Sequence, residues 1–269
     1  MIGWDAEHEA DLDRPTPFGW VLVILRLTPS VLTIMLLMIP LILLRAVGLW
    51  RAGQFVVRLA CWICLKIIGI PMTITGKPMQ HAGVVVANHS SWLDILTLNV
   101  SQRVFFVAKS EVRNWPAIGT MARSVGTVFI RRKRGDAKRQ HDMFRDHVQK
   151  GHKLLFFPEG TSTDGCHVLP FRSSLFQAFF TPDLAHLMWV QPVTVLYNAP
   201  DGKRADFYGF WGEMEMFEHF THVLSQTRQG RIEVVFHAPL KVEDFTDRKT
   251  LSEAAYRIVA DGMPNRLPN

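Results

Sequence analysis

The stretch Asn88-His89-Ser90-Ser91-Trp92-Leu93-Asp94 sets an imidazole and a carboxylate five positions apart. It directly follows Val84–Ala87, a β-branched run that reads as a buried strand, so His89 falls on the turn leaving that strand. Asp94 then falls in the first turn of the next helix. A chain reversal there brings the carboxylate to one ring nitrogen and leaves the other facing a substrate. A carboxylate partner fixes the tautomer and stabilises the imidazolium formed when histidine takes a proton. Such a base suits the deprotonation of an alcohol as it attacks a thioester. Spacing alone leaves a second reading open, in which His89 caps the helix and Asp94 is a favourable first-turn acid.

Two further stretches carry chemistry. Phe157-Pro158-Glu159-Gly160-Thr161-Ser162-Thr163-Asp164-Gly165 leaves the apolar strand Leu154–Phe157, and Pro and Gly break that strand so that Glu159 emerges on a loop. Loops at strand ends are where open α/β sheets bind ligands. As composition, the same residues also make an ordinary turn. Gly126-Thr-Val-Phe-Ile-Arg-Arg132 is a strand ending in cations, continued by Lys133 and Arg134. Arginine at a strand exit holds a phosphate or carboxylate bidentately. Lys133, Arg134, Lys138 and Arg139 read better as a solvated basic face, one that an acidic carrier or anionic lipid could use.

These residues need a sheet to hold them. From Met72 onward, short β-branched runs alternate with amphipathic segments. Strands are expected at Met72–Thr75, Val84–Ala87, Val104–Val107, Thr127–Ile130, Leu154–Phe157, Val190–Leu196 and Ile232–His237. Helices are expected at Leu93–Val100, Trp115–Ser124, Asp136–Gln149, Ser173–Phe180, Glu213–Arg228 and Lys249–Asp261. In the segment from Asp136, Ala137, His141, Phe144 and Val148 form one stripe with Lys138, Arg139, Asp142 and Arg145 outside it. The alternation predicts an α/β domain, a mixed sheet flanked by helices, over residues 72–269.

Residues 1–71 read as a membrane-associated helical region. Leu27–Leu44 is an 18-residue run without a charge, about 27 Å long as a helix against a hydrocarbon core of roughly 30 Å. Pro29 and Pro40 predict a kink. Arg45, Arg51, Arg58 and Lys66 follow it, so a crossing would leave its C-terminal side in the cytoplasm. Phe55–Ile70, interrupted by Arg58 and Lys66, reads as an interfacial helix with snorkelling cations. The bland alternative for both is a pair of buried core helices. The acidic stretch from Asp5 to Asp13 is unlike a secretory signal. Hydrophobic residues at 48% exclude wholesale disorder, a net charge of +6 suits an anionic partner, and three cysteines make no disulfide framework.

Other patterns carry less. Cys61-Trp-Ile-Cys64 has redox and zinc spacing but lies in an apolar helical stretch without a second ligand pair. His219-Phe-Thr-His222 lacks a third ligand, so no metal site is expected. There is no GxSxG elbow for a serine hydrolase, and Ser90 is too close to His89 in sequence to serve as its nucleophile. Nucleic-acid binding would use the basic cluster but would leave the apolar N-terminus and the His–Asp spacing unexplained.

Taken in order, NHSSWLD at 88–94, GTVFIRR at 126–132, FPEGT at 157–161 and Val190-Gln-Pro-Val-Thr-Val195 resemble the signature blocks of the glycerolipid and lysophospholipid acyltransferase family. The resemblance implies an O-acyltransferase with the family's α/β sandwich and an N-terminal element seating it on the membrane. It implies His89 as base on the acceptor hydroxyl, Asp94 orienting it, and Arg132, Glu159, Gly160 and Thr161 binding the acceptor, with Pro192 shaping the site. It also implies an acyl carrier protein or coenzyme A thioester as donor, a lysolipid acceptor, no cofactor, no nucleic acid, and a place at the inner membrane with the catalytic domain facing the cytoplasm. Many members that acylate lysophosphatidic acid continue the third block with arginine; here Ser162 stands there. FPEGTSTDG, then Leu169-Pro-Phe-Arg-Ser-Ser-Leu-Phe176 and Gly209-Phe-Trp-Gly-Glu-Met214, resemble the bacterial branch that acylates lyso-aminolipids such as lyso-ornithine lipid. Lysophosphatidic acid stays the alternative acceptor, with Arg172 able to replace the missing cation.

Overall fold

The computed structural model describes residues 12–115, 118–130 and 137–264, with the backbone alone for 137–140. The first helix, α1 (Pro17–Ala46), begins ten residues before the charge-free run and passes through Pro29 and Pro40 as one helix. Thr16 caps it by accepting from the Gly19 N–H, and Pro17 stands at its first turn, where its missing N–H costs nothing. Arg26 fits within the helix because its guanidinium is spent elsewhere. It donates to the carbonyls of Leu224 at 2.8 Å and Gln226 at 2.6 Å. A cation there satisfies the unpaired carbonyls at the end of another helix, α7 (Met216–Leu224). The same contact ends α7 short of the expected Arg228.

A tight turn leads to α2 (Trp50–Ile68), closed by Gly69 in the left-handed conformation at φ 87°. Val57, Leu65 and Ile68 of α2 are buried together with Val23 and Leu41 of α1. The opposite face of α1 stays exposed through Leu25, Leu32, Met35, Leu36, Ile39 and Leu43. Its most apolar 18-residue window has a mean hydropathy of 2.4 and is only 6% buried, so α1 is no buried core helix; it is long and apolar enough to cross a membrane. Cys61 and Cys64 lie on the buried face of α2, and the described residues contain no cluster able to hold a metal.

The sheet has eight strands among the described residues: β1 (Met72–Thr75), β2 (Gly83–Ala87), β3 (Phe105–Lys109), β4 (Val128–Ile130), β5 (Lys153–Phe156), β6 (Trp189–Asn198), β7 (Arg231–Phe236) and β8 (Leu240–Lys241). Their order is β1-β7-β6-β2-β5-β3-β4, with β8 beside β7 on the same edge of β6. β2 through β6 run parallel, whereas β7 runs against β6. The seven strands expected from β-branched runs are all present. β8 was missed because two residues carry no periodicity.

Alternate residues of the central strands face two cores. Val85, Ala87, Leu155, Val193, Val195 and Tyr197 join the layer formed by α1, α2, α3 (Leu93–Ser101) and α7. Val84, Val86, Leu154, Phe156 and Val190 face α5 (Ala137–Gln149), α8 (Arg248–Asp261) and the 3-10 helix Ser173–Phe179. That last segment is 3-10 rather than α. Phe176 and Phe179, three apart and both fully buried, suit a three-residue turn. Two short helices, α4 (Ile118–Ser124) and α6 (Pro182–Ala185), and the 3-10 turns Ser110–Asn114 and Val242–Asp244 complete the described set.

β2 sits between β5 and β6. The chain leaves β2 toward β3 and β4 on one side, then leaves β5 toward β6 on the other. Such a reversal opens a crevice beyond the carboxyl ends of the strands. At the opposite end, where β2 and β6 begin, the backbones pack tightly. A Cβ on Gly83, whose φ is 148°, would lie 2.0 Å from the Trp189 carbonyl oxygen of β6. We therefore expect Gly83→Ala to destabilise the protein by at least ~2 kcal/mol. Thermal unfolding in detergent should show a lowered midpoint, and an unchanged midpoint would refute this account of the packing.

Candidate functional site

β2 ends at Ala87, and the next residue continues its pairing by side chain. The buried Asn88 amide donates to the Val195 carbonyl at 2.9 Å and accepts the Val195 N–H at 2.8 Å. This imitates one more rung of the β2–β6 ladder and lets the main chain turn away without orphaning Val195. His89 is thereby held at the lip of the crevice.

The turn then folds back on Asp94. His89 Nδ1 lies 2.7 Å from Asp94 Oδ2, and that oxygen also accepts the N–H groups of Ser90 at 2.8 Å and Ser91 at 3.0 Å. Asp94 is fully buried, whereas the His89 side chain is 25% exposed. A carboxylate only accepts, so the Nδ1 proton belongs to the imidazole and Nε2 is left with its lone pair. The flat face of the ring stacks on Phe157, with centroids 4.0 Å apart and planes 9° apart. Position, tilt and tautomer are thus set by three separate contacts. The other Asp94 oxygen accepts the Tyr197 hydroxyl at 2.7 Å.

Phe157 comes from the neighbouring strand end. β5 is parallel to β2, so both deliver their C-terminal loops to the same place. The Phe157–Gly160 turn closes with the Gly160 N–H on the Phe157 carbonyl at 3.2 Å, and Gly160 takes φ 80°, where a side chain would be strained. Glu159 points inward from this turn and is 1% exposed. One oxygen accepts the His89 N–H and the other the Leu169 N–H, both at 2.7 Å. Burial pushes its carboxyl up to about 8, against the pull of those two donors. Gly160 and Thr161 lie beside it, half-buried.

The loop continues around the His89 turn. The Thr163 N–H donates to the His89 carbonyl at 2.9 Å. Asp164, fully buried, accepts the N–H groups of Cys166 and His167 on one oxygen and meets His167 Nδ1 at 2.7 Å with the other. The Gly209–Met214 stretch comes to the same spot. The Phe210 N–H donates to the Ser90 carbonyl at 2.8 Å, and a Cβ on Gly209 would sit 2.4 Å from the Asp164 carbonyl oxygen. Two stretches 45 residues apart in sequence, Asp164 and Gly209, therefore clasp the turn that carries the base. His219 and His222 are engaged here too. His219 Nδ1 accepts from Trp92 Nε1 at 3.0 Å, and His222 Nδ1 accepts the Asp13 N–H at 2.8 Å. Burial and the neighbouring His222 lower the His219 imidazole to about 3, so it stays neutral.

The structure thus brings together His89, Asp94, Glu159, Gly160 and Thr161. Arg132 lies outside the described residues; β4, which precedes it, is parallel to β3 and points toward the same end of the sheet. Arg172 is exposed, with its N–H on the Pro158 carbonyl at 3.0 Å. Pro192 pairs with Val86 across β2–β6 and accepts the His237 N–H, as part of the sheet behind the site. Tyr197 was not expected from sequence. Its only signal there is a phenol following the apolar pair Val195-Leu196.

Glu159 shows almost no surface, so its reach is to the His89 backbone. Glu159→Gln would put an amide N–H₂ against one of two backbone N–H donors. We expect turnover to fall about tenfold or more while the acceptor KM stays within about twofold, the pattern of disturbed positioning. A raised KM at unchanged kcat would instead place this carboxyl on the acceptor.

Residues 72–195, which hold all four signature blocks, match the family model described as Acyltransferase. The chain is 54% identical over 206 residues to the lyso-ornithine lipid O-acyltransferase of Rhodobacter capsulatus, covering 77% of this chain and 75% of that protein. It is 35% identical to the Brucella abortus protein of the same name, over 71% of this chain and 74% of that one. With the 1-acyl-sn-glycerol-3-phosphate acyltransferase of Neisseria gonorrhoeae it shares 40% identity over 112 residues, 41% of this chain and 44% of that one. The crystal structure of the 1-acyl-sn-glycerophosphate (LPA) acyltransferase from Thermotoga maritima has the same fold. It superposes with a TM-score of 0.66 at 18% identity, over 91% of this chain and 94% of the other. On these findings the chain belongs to the acyltransferase family.

Proposed function

We propose that this enzyme transfers a fatty acyl group from an acyl carrier protein or coenzyme A thioester to the free hydroxyl of lyso-ornithine lipid. The observation that carries the chemistry is the His89–Asp94 pair at 2.7 Å, with the Nδ1 proton held and Nε2 left to act as base. As the acceptor oxygen attacks the thioester carbonyl, Nε2 takes its proton, and the growing positive charge on the ring is balanced by the buried Asp94 carboxylate. The tetrahedral intermediate then collapses with loss of the thiolate, which recovers that proton from His89. No acyl-enzyme is required, because the attacking hydroxyl belongs to the acceptor.

The choice of acceptor is supported by the identity to the Rhodobacter capsulatus and Brucella abortus proteins. It is also supported by Ser162, which offers no charge where a phosphate monoester would gain from one. Arg132 is assigned to the headgroup and Thr161 to the rim beside it. The exposed apolar face of α1 supports seating in a bilayer, which brings the crevice to its lipid substrate. We place the enzyme at the inner membrane with the site facing the cytoplasm, where the thioester donor is available. Lysophosphatidic acid is the second reading, favoured by the partial likeness to the Neisseria protein.

The test is acyl transfer by the detergent-purified protein. Labelled acyl carrier protein serves as donor, and lyso-ornithine lipid competes with lysophosphatidic acid. We expect preferential acylation of lyso-ornithine lipid; preference for lysophosphatidic acid would overturn the acceptor assignment. His89→Ala should lower turnover by a factor of about 10²–10⁴, and near-normal turnover in the folded variant would remove His89 as the base.

A further inference from the structure

Asp94 has room for about four hydrogen-bond donors, two on each oxygen. Three of them crowd Oδ2: the imidazole Nδ1–H and the N–H groups of Ser90 and Ser91. Oδ1 points the other way, into the core between α3 and β6, where it accepts the Tyr197 hydroxyl at 2.7 Å. The Thr97 hydroxyl lies 3.3 Å behind that phenol, one helical turn after Asp94. With its own proton given to Asp94, Tyr197 accepts from Thr97, so the chain reads Thr97 to Tyr197 to Asp94 to His89. Thr97 and Asp94 are fully buried and Tyr197 is 4% exposed.

The placement of Tyr197 follows from the sheet. Val195, two residues earlier on the same face of β6, is the residue clamped by Asn88. One strand thus holds the His89 turn twice, by its backbone at 195 and by a side chain at 197. Burial, and secondarily the neighbouring Asp94 charge, hold the phenol well above its ordinary range, so it remains a proton donor wherever the enzyme works.

We propose that Tyr197 is a positioning residue for the acyl transfer, holding the core-facing oxygen of Asp94 so that the carboxylate stays aimed at His89 and its charge is shared. The inference rests on the reading of His89 as base. A phenylalanine would fill the same space, which separates packing from hydrogen bonding. Without the phenol, Oδ1 is a buried anionic oxygen with its donor removed. The carboxylate then either turns toward another donor and loosens its hold on the ring, or concentrates its charge on His89. The first lowers turnover by misplacing the base; the second raises the basicity of the imidazole, so that less of it is in the base form at neutral pH. Among the described residues, the other titratable groups nearby are Glu159 on the His89 N–H, Asp164 on the adjoining loop, and Tyr208, whose ring centre is 5.7 Å from that of Tyr197.

The experiment compares wild type with Tyr197→Phe and Thr97→Val, measuring kcat, acceptor KM, the pH profile of kcat/KM and the thermal midpoint. For Tyr197→Phe we expect kcat to fall about tenfold with KM within about twofold, the scale of one hydrogen bond to a charged group. The acid limb should move by about half a pH unit or more toward alkaline pH, as less-shared carboxylate charge stabilises the imidazolium. Thr97→Val, one bond further out, should move the limb the same way by less. Unchanged kcat and pH profile in folded Tyr197→Phe would overturn the inference. So would a lowered midpoint with KM raised and the limb unmoved, which marks packing alone. If Tyr197→Phe does not fold, Thr97→Val decides by the presence or absence of its shift. His89→Ala, run beside them, separates the two readings: near-normal turnover there removes the base itself, whereas a dead His89→Ala with an unaffected Tyr197→Phe removes only the role of Tyr197.

Discussion

A buried carboxylate organises this end of the molecule. Asp94 has no access to water, and an uncompensated charge in such a place costs several kcal/mol. It is compensated by two backbone N–H groups of its own turn, one phenol from β6 and one imidazole. The Ser90 and Ser91 N–H groups require the chain to reverse tightly after β2. The phenol requires β6 to lie beside β2. The imidazole then has one favourable orientation, because its Nδ1–H completes the set.

The surrounding structure resists loss of that arrangement at each point where the chain could drift. Asn88 extends the β2–β6 ladder so that the turn starts from a fixed place. Glu159 ties the His89 N–H to the loop leaving β5, and Thr163 ties its carbonyl to the same loop. Phe157 supports the face of the ring. Bonds of this kind are individually worth about 0.5–1.5 kcal/mol in stability, up to about 3 where a charge takes part. Their effect on geometry is larger, since a displaced base loses far more in rate than the fold loses in stability.

The exposed apolar surface belongs to other parts. The exposed face of α1 offers an apolar surface of membrane-crossing length, while its inner face shares a core with the sheet layer. Arg26 joins that helix to the end of α7, which in turn bears the histidine that accepts from Trp92 of the first signature block. The exposed apolar helix and the turn that holds the base are therefore parts of one packed layer.

Much of this was legible in the residues. The order of strands and helices follows from β-branched runs and amphipathic stripes, because each element must bury one face. The His89–Asp94 pairing was one of two readings that the local spacing allowed, and the order of the four blocks favoured it; the structure closes it at 2.7 Å. The long charge-free run marked the exposed apolar helix, although its true start lies earlier, because Arg26 finds distant carbonyls that no local pattern reveals. Tertiary structure decided everything that depended on strand order. Only when β6 lies against β2 does Tyr197, 103 positions from Asp94, become its donor. Only when β5 lies on the other side does Glu159 face the His89 backbone instead of solvent. The same juxtaposition puts Gly209 against Asp164, which no spacing in the chain suggests. Residue types and short spacings carry chemistry that closes within one turn. Contacts between separate strands depend on register and neighbourhood, which are settled by packing the whole sheet.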